Sequence, residues 1–380
     1  MTSEPPPAHP PAQATPPYSV TSVVADADVA SLEADWNRLS DTEASPNVFM
    51  TCDWFRAWNQ CLSREDPRRR PHVLVLRQNE RVMGLSPFIL RTCSRFGFAV
   101  RKIEFVASQG DYHDFVLGGD PQGQIGAVAR FLAQTSDEWD LVELTDLREA
   151  GGQIPRIESA LSRAHLSYRI LPEQKGCPYV TLEADPSTPM NNLSGHVRRT
   201  LRKRIERASA LGLRVRIIEN PQQEPGLVDE MIGLERGKID AGGPFIGKYP
   251  EVFRSLFDGL GPRGWLYVAL LEREDRPVAF QLGFRCGHKL WDYSKSYDRS
   301  CSRFAPGTIL VQALLAHGAS RGYDEYDFLR GEEPYKTVWS TGCHRSYRLL
   351  IWNRRWVSRV RKFIYRDLKT PLYRLFSERA

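Results

Sequence analysis

The chain of 380 residues is 41% apolar, 11% aromatic and 26% charged, enough apolar material for two or three globular domains. Its net charge of +6 is uneven: the last 37 residues, from His344 on, hold eleven Lys/Arg and two Asp/Glu, which leaves −3 on the rest. That balance argues against a large nucleic-acid-binding face on the body and places the basic character in a tail.

No run of eighteen apolar residues is present, so no transmembrane helix is expected. The first eighteen residues contain seven prolines and neither a basic nor an apolar block. They read as a disordered leader, not a secretory signal. The seven cysteines are scattered without C-x-x-C spacing, which disfavours a disulfide scaffold or a cysteine-rich zinc site and suits a reducing, cytoplasmic setting. P-loop and HExxH patterns are missing, so P-loop kinase and zincin readings lose support.

From Tyr18 on, strand-like and helix-like segments alternate, the mark of a layered α/β or α+β protein. Residues 18–24 read as a strand. A helix capped by Asp28 puts Leu32, Trp36 and Leu39 on one face, and a second covers 53–62. Strands at 72–77 and 81–91 flank a Gln-Asn-Glu turn as a hairpin. Short strands at 103–106 and 115–117 bracket a polar stretch at 108–114. A helix at 123–136, a strand at 140–145, a helix at 154–165 and an extended piece at 179–182 follow. The order then begins again: a long basic helix at 193–211, a strand at 214–218, helices at 226–239 and 249–260, a hairpin of 265–272 and 276–285, a strand at 289–296, a helix at 306–319 and a strand at 323–328. The two hairpins, LRQNERVMGLSPF and LEREDRPVAFQLG, and the strands DLVELT and DEYDFL occupy matching places, which suggests an internal duplication with its boundary in DPSTPMNN at 185–192.

Five segments carry residues suited to chemistry. Pro306 and Gly307 open an apolar helix; its first N–H groups can hold an anion, or it is a plain helix start. After the next strand, Asp327, Arg330, Glu332, Tyr335 and Lys336 gather in a short run that can supply a base, a proton donor and charge clamps, or form a salt-bridged surface loop. Asp111, His113 and Asp114 form a second cluster, suited to acid–base work or to a structural turn; no further ligand makes it a metal site. The helix around 197–207 carries six basic residues, either a solvated face or a surface for phosphates of a substrate or of RNA. The tail from Trp352 mixes Trp, Phe, Ile and Tyr with Arg, a composition for an anionic membrane, for an anionic nucleotide, or for packing on the body.

The run SRFAPGTILVQALLAHGASRGYDEYDFLRGEEPYKTVW resembles the closing block of the CelD-like acetyltransferases of polysaccharide biosynthesis, members of the GNAT superfamily related to the Fem peptidyltransferases. FMTCDWFRAW, GDYHDFVL and VRRTLRKRIERASALGLRV extend the resemblance over about residues 20–348. It implies two tandem GNAT-like domains, each a twisted mixed sheet with flanking helices, at 19–185 and 190–348, between a leader at 1–18 and a basic amphipathic tail at 349–380. It implies an N-acyltransferase using acetyl-CoA or another acyl-CoA, without a metal, acting on an amine of a sugar, lipid-linked sugar or polysaccharide precursor in cell-surface or exopolysaccharide biosynthesis. The donor phosphates would lie at Arg303, Pro306, Gly307 and Thr308. Asp327 or Glu332 would be the base, Tyr335 the proton donor and Lys336 the oxyanion or phosphate contact. Asp111, His113, Asp114 and Arg330 would orient the acceptor. The Fem branch implies aminoacyl-tRNA as an alternative donor. A non-catalytic module that binds anionic nucleotide or membrane through 350–380 is the other alternative, and a peripheral place at the inner membrane face would follow from that tail.

Overall fold

Two hairpins set the plan of the molecule. In the computed structural model, which describes residues 18–42, 46–95, 98–149, 152–236 and 245–353, they are β2 (Arg69–Gln78) with β3 (Arg81–Arg95) and β10 (Leu266–Arg273) with β11 (Arg276–Cys286). Asn79-Glu80 and Glu274-Asp275 take positive φ at both turn positions, the geometry that matches strand twist in a two-residue hairpin. Each hairpin continues into a third antiparallel strand, β4 (Phe98–Phe105) and β12 (Lys289–Tyr297). Each third strand then pairs in parallel with a strand reached through a helix. In the first half that helix is α4 (Pro121–Gln134), leading to β6 (Leu141–Arg148); in the second it is α10 (Pro306–Ser320), leading to β13 (Glu325–Asp327).

The result is two mixed sheets with flanking helices. The first also contains β1 (Ser19–Val23), β5 (Val116–Leu117) and β7 (Ser167–Pro172), and the second β8 (Cys177–Thr181), β9 (Leu213–Ile218) and β14 (Gly342–His344). The remaining strand, β15 (Ser346–Trp352), returns from the end of the second half and lies between β6 and β7 of the first sheet. In exchange, β8 leaves the first half and lies between β13 and β14 of the second sheet. The expected boundaries at 185 and 348 therefore do not follow the sheets, and 348/349 falls inside β15. The tail expected from 349 begins as a buried strand; 354–380 lies outside the described residues, as does the leader at 1–17.

The expected first helix is two, α1 (Asp26–Ser31) and α2 (Glu33–Thr42), which meet at Leu32. α3 (Cys52–Glu65), capped by the Thr51 side chain, buries Trp54 and Trp58. α5 (Gln153–Arg163) covers the first sheet, and α8 (Leu227–Glu235) and α9 (Pro250–Leu260) the second. The helix expected at 226–239 is described as far as Glu235, before 237–244, which lie outside the described residues. One apolar cluster runs through both halves: Phe49 stacks on Trp291 at 5.3 Å, and Trp58 meets Tyr249 edge-on at 5.0 Å. A second cluster lies between the second sheet, α10 and the basic helix α7 (Gly195–Ala210), which follows the short α6 (Thr188–Asn191).

Candidate active site

β12 and β13 pair at only three positions, Lys289↔Glu325, Leu290↔Tyr326 and Trp291↔Asp327. β13 then ends, while β12 runs on to Tyr297. Between the diverging strands lies a cavity of about 830 Å³, within the range of small-molecule and cofactor sites. Crevices beyond the carboxyl ends of parallel strands are where such sheets take ligands.

One wall is the start of α10. Ala305 precedes it at φ +52°, a left-handed conformation costly for a residue with a Cβ. Pro306 has no N–H, and the Thr308 N–H is bonded to the Ala305 carbonyl at 2.9 Å. The Gly307 N–H has no intrahelical acceptor and opens on the cavity with the positive end of the helix. A Cβ at Gly307 would meet nothing within 4 Å, so the space in front of it is open. Pro306, Gly307 and Thr308 all line the cavity; Arg303 does not, its guanidinium lying 4.7 Å over the Phe304 ring, and Arg299 of the same turn lines it instead.

The opposite wall is the loop after Phe328, which is held from several directions. Leu329 is left-handed, and its N–H donates to Asp327 Oδ1 at 2.7 Å. The Arg330 N–H donates to Asp111 Oδ2 at 3.0 Å, and its guanidinium reaches the Asp146 carboxylate and the Ser108 carbonyl. Lys336 is buried at the start of α11 (Pro334–Trp339), a helix where the sequence suggested a loop; Pro334 suits its first position. Lys336 Nζ donates to the carbonyls of Leu329 at 3.3 Å and Arg330 at 2.9 Å, and contacts Glu333 Oε2 at 3.0 Å. An ammonium has three donors, so all are used in holding the loop. A side chain at Gly331, φ +143°, would collide with that Nζ at 2.6 Å.

Tyr335, Lys336, Arg330 and Asp111 line the cavity. Asp327 does not: it is 1% exposed behind the wall, where it accepts from the Tyr112 hydroxyl at 2.7 Å. Burial raises its carboxyl to about 7, with the Tyr112 bond opposing. Glu332 is exposed and outside the lining. His113 and Asp114 are also outside it. His113 is buried, stacked on Phe105 at 4.6 Å, with Nδ1 3.1 Å from the Thr145 carbonyl; it fills the gap where β4 and β6 part, the counterpart of the open cavity. Asp114 accepts from Phe115 N–H at 2.8 Å and Gln153 Nε2 at 3.0 Å, and burial lifts it to about 6.

The sequence reading missed the third wall, β12 itself. Its segment Asp292–Tyr297 lines the cavity, with Tyr293 the extra residue of a bulge opposite Leu282 and Gly283. The signal was readable: Asp292, Ser294 and Ser296 place polar groups at every second position of an interior strand, and all three are buried. Asp292 Oδ2 pairs with Lys295 Nζ at 2.6 Å, and that Nζ lies 3.9 Å over the Tyr335 ring. Burial pulls the Lys295 ammonium down, with Asp292 opposing, and holds the Tyr335 phenol well above its usual range. Glu325, Asp327 and His344 bring ligand-type atoms within 4.8 Å of one another. Their bonding is already internal: Glu325 meets Lys289 at 2.8 Å and His344 at 3.0 Å, and Asp327 is bonded to Tyr112 and Leu329.

Residues 195–337, from the start of α7 into α11, match the family model described as the acetyltransferase (GNAT) domain. This segment is similar to the GNAT-type acetyltransferase domain. The match contains the α10, β12 and α11 walls of the cavity, so the crevice lies inside the matched segment. Most of the chain is similar in fold to solved structures, among them the following three. FemX is 11% identical, covering 85% of this chain and 96% of its own, with a TM-score of 0.58. A conserved protein of unknown function from Bacteroides thetaiotaomicron VPI-5482 is 14% identical, over 88% and 100%, at 0.55. The C-terminal domain of a putative lysylphosphatidylglycerol synthetase from Agrobacterium fabrum is 13% identical, over 86% and 93%, at 0.54. No curated protein sequence matches the chain. The two mixed sheets, each built on a hairpin and a helix-linked parallel strand, agree with the repeated order of elements.

Proposed function

We propose that the protein transfers an acyl group from acyl-CoA to the amine of a sugar or lipid-linked sugar, in the manner of the CelD-like enzymes of surface polysaccharide synthesis. The observation that carries this reading is the single crevice bounded by the Gly307 helix start, β12 and the segment from Phe328 into α11. The donor pyrophosphate lies at Gly307 and Thr308, with Arg299 beside them. The acceptor amine enters from the side of Asp111 and Arg330, where the first half closes the site. Its nitrogen attacks the thioester carbonyl, the C–N bond forms and the C–S bond breaks. Asp292, which faces the cavity as Asp327 does not, takes the amine proton directly or through water. Tyr335, whose phenol burial keeps protonated, gives its proton to the departing thiolate. Lys336 acts as a positioning residue, since its donors already hold Leu329, Arg330 and Glu333.

The test is release of CoA thiol from acetyl-CoA in the presence of amino-sugar acceptors. Asp292→Asn and Tyr335→Phe are each expected to lower kcat by roughly 100-fold or more with the melting temperature retained. Full activity in both variants overturns these roles, and activity abolished by ribonuclease makes aminoacyl-tRNA the donor.

A further inference from the structure

The outer face of α7 is not absorbed by the crevice. Residues 195–214 contain seven Arg/Lys and one Glu, a net +6 on a body that is otherwise slightly acidic. Several arginines elsewhere on the surface are matched, among them Arg38 with Asp35, Arg56 with Glu33, Arg64 with Glu251 and Arg254 with Asp229. Among the described residues, no carboxylate pairs with Arg198, Arg199, Arg202, Lys203, Arg204 or Arg207. Leu201 and Ala208 turn inward, with Val197 and Ile205 packed beside them, so Arg199, Arg202, Lys203 and Arg207 share the face directed to solvent.

Apolar side chains accompany these cations. Among the described residues four large hydrophobic side chains are conspicuously exposed, and two of them adjoin α7: Leu211, 47% exposed, ends the helix, and Val338, 48% exposed, shares with it a small cavity of about 200 Å³. Thr308 lines both this cavity and the crevice, so the basic helix stands at the crevice mouth. Unmatched cations with solvent-facing aliphatic groups fit a surface that offers phosphates and hydrocarbon together. RNA offers the phosphates but favours exposed aromatic rings for stacking, and α7 carries no Phe, Tyr or Trp, only the His196 imidazole in its first turn.

We infer that α7 is a docking face for an anionic lipid bilayer, which brings the crevice mouth to the membrane surface. This attachment is separate from the basic-aromatic segment at 350–380 and does not depend on which acyl donor is used.

The experiment is cosedimentation of the full chain with phosphatidylglycerol–phosphatidylcholine vesicles and with pure phosphatidylcholine vesicles. Wild type is expected to bind the mixed vesicles and not the neutral ones. The triple variant Arg199→Gln, Lys203→Gln, Arg207→Gln keeps the C-terminal segment and is expected to bind the mixed vesicles roughly 100-fold more weakly, with an unchanged melting curve and unchanged acetyl-CoA titration. Leu211→Glu, which alters no cation, is expected to weaken binding as well. Equal binding by wild type and triple variant overturns the proposal, as does salt-sensitive binding of wild type to tRNA without binding to vesicles. Loss of acetyl-CoA binding by wild type would refute the acyl-CoA reading and leave the vesicle result standing on its own.

Discussion

Asp327 is a carboxyl held between two donors, the Tyr112 hydroxyl from the first half and the Leu329 N–H from its own loop. Because burial raises it to about 7, the folded protein keeps a proton that the unfolded chain releases near pH 4. The stabilisation linked to that proton is complete below about pH 4 and is lost as pH rises to about 7, with a slope of at most about 1.4 kcal/mol per pH unit. Asp327→Asn keeps the shape and removes the titration. Urea unfolding across this range is expected to show wild type losing stability relative to the variant as pH rises; parallel curves would contradict it. The sequence made Asp327 visible as an acid at a strand end. It did not reveal that the side chain points away from the crevice, because that depends on Tyr112, 215 positions away.

At the scale of elements, α10 was readable because local chemistry fixes it: a proline in its first turn, a continuous apolar run and a glycine just beyond its end. β7, β14 and β15 were not. SYRLLIW has strand composition, but its place between β6 and β7 is decided by partners far along the chain. The loop after Phe328 was visible as a cluster of charges, while the use of Lys336 as its internal clamp was not. Gly331 is the weak point of that clamp, through both its φ of +143° and the Nζ beside it. Gly331→Ala is expected to cost about 1–3 kcal/mol in chemical unfolding and to suppress acyl transfer. Wild-type stability and turnover in this variant would show that the loop is not held as described.

For the whole molecule, the repeated order of elements was legible, and the exchange of strands between its halves was not. β8 completes the second sheet and β15 completes the first, each from the other half of the chain. The halves are thus coupled by main-chain ladders as well as by the Arg330 clamp on Asp111 and Asp146. Fragments 1–186 and 187–380 are each expected to lack a cooperative thermal transition alone and to regain one when coexpressed, followed by circular dichroism; a cooperative transition in either fragment alone would contradict this coupling. The repeat also differs in use. In the first half Phe105 and His113 fill the gap between the parting strands, and in the second the gap is the crevice.

The central claim is that the start of α10 faces one crevice that takes the donor. Calorimetric titration with acetyl-CoA, comparing wild type with Gly307→Glu, tests it most directly, because a side chain at 307 has open space and should leave the fold intact. Saturable one-to-one binding to wild type and none to the variant, with equal melting curves, is the expected result. No binding to wild type, or equal binding to both, would contradict it.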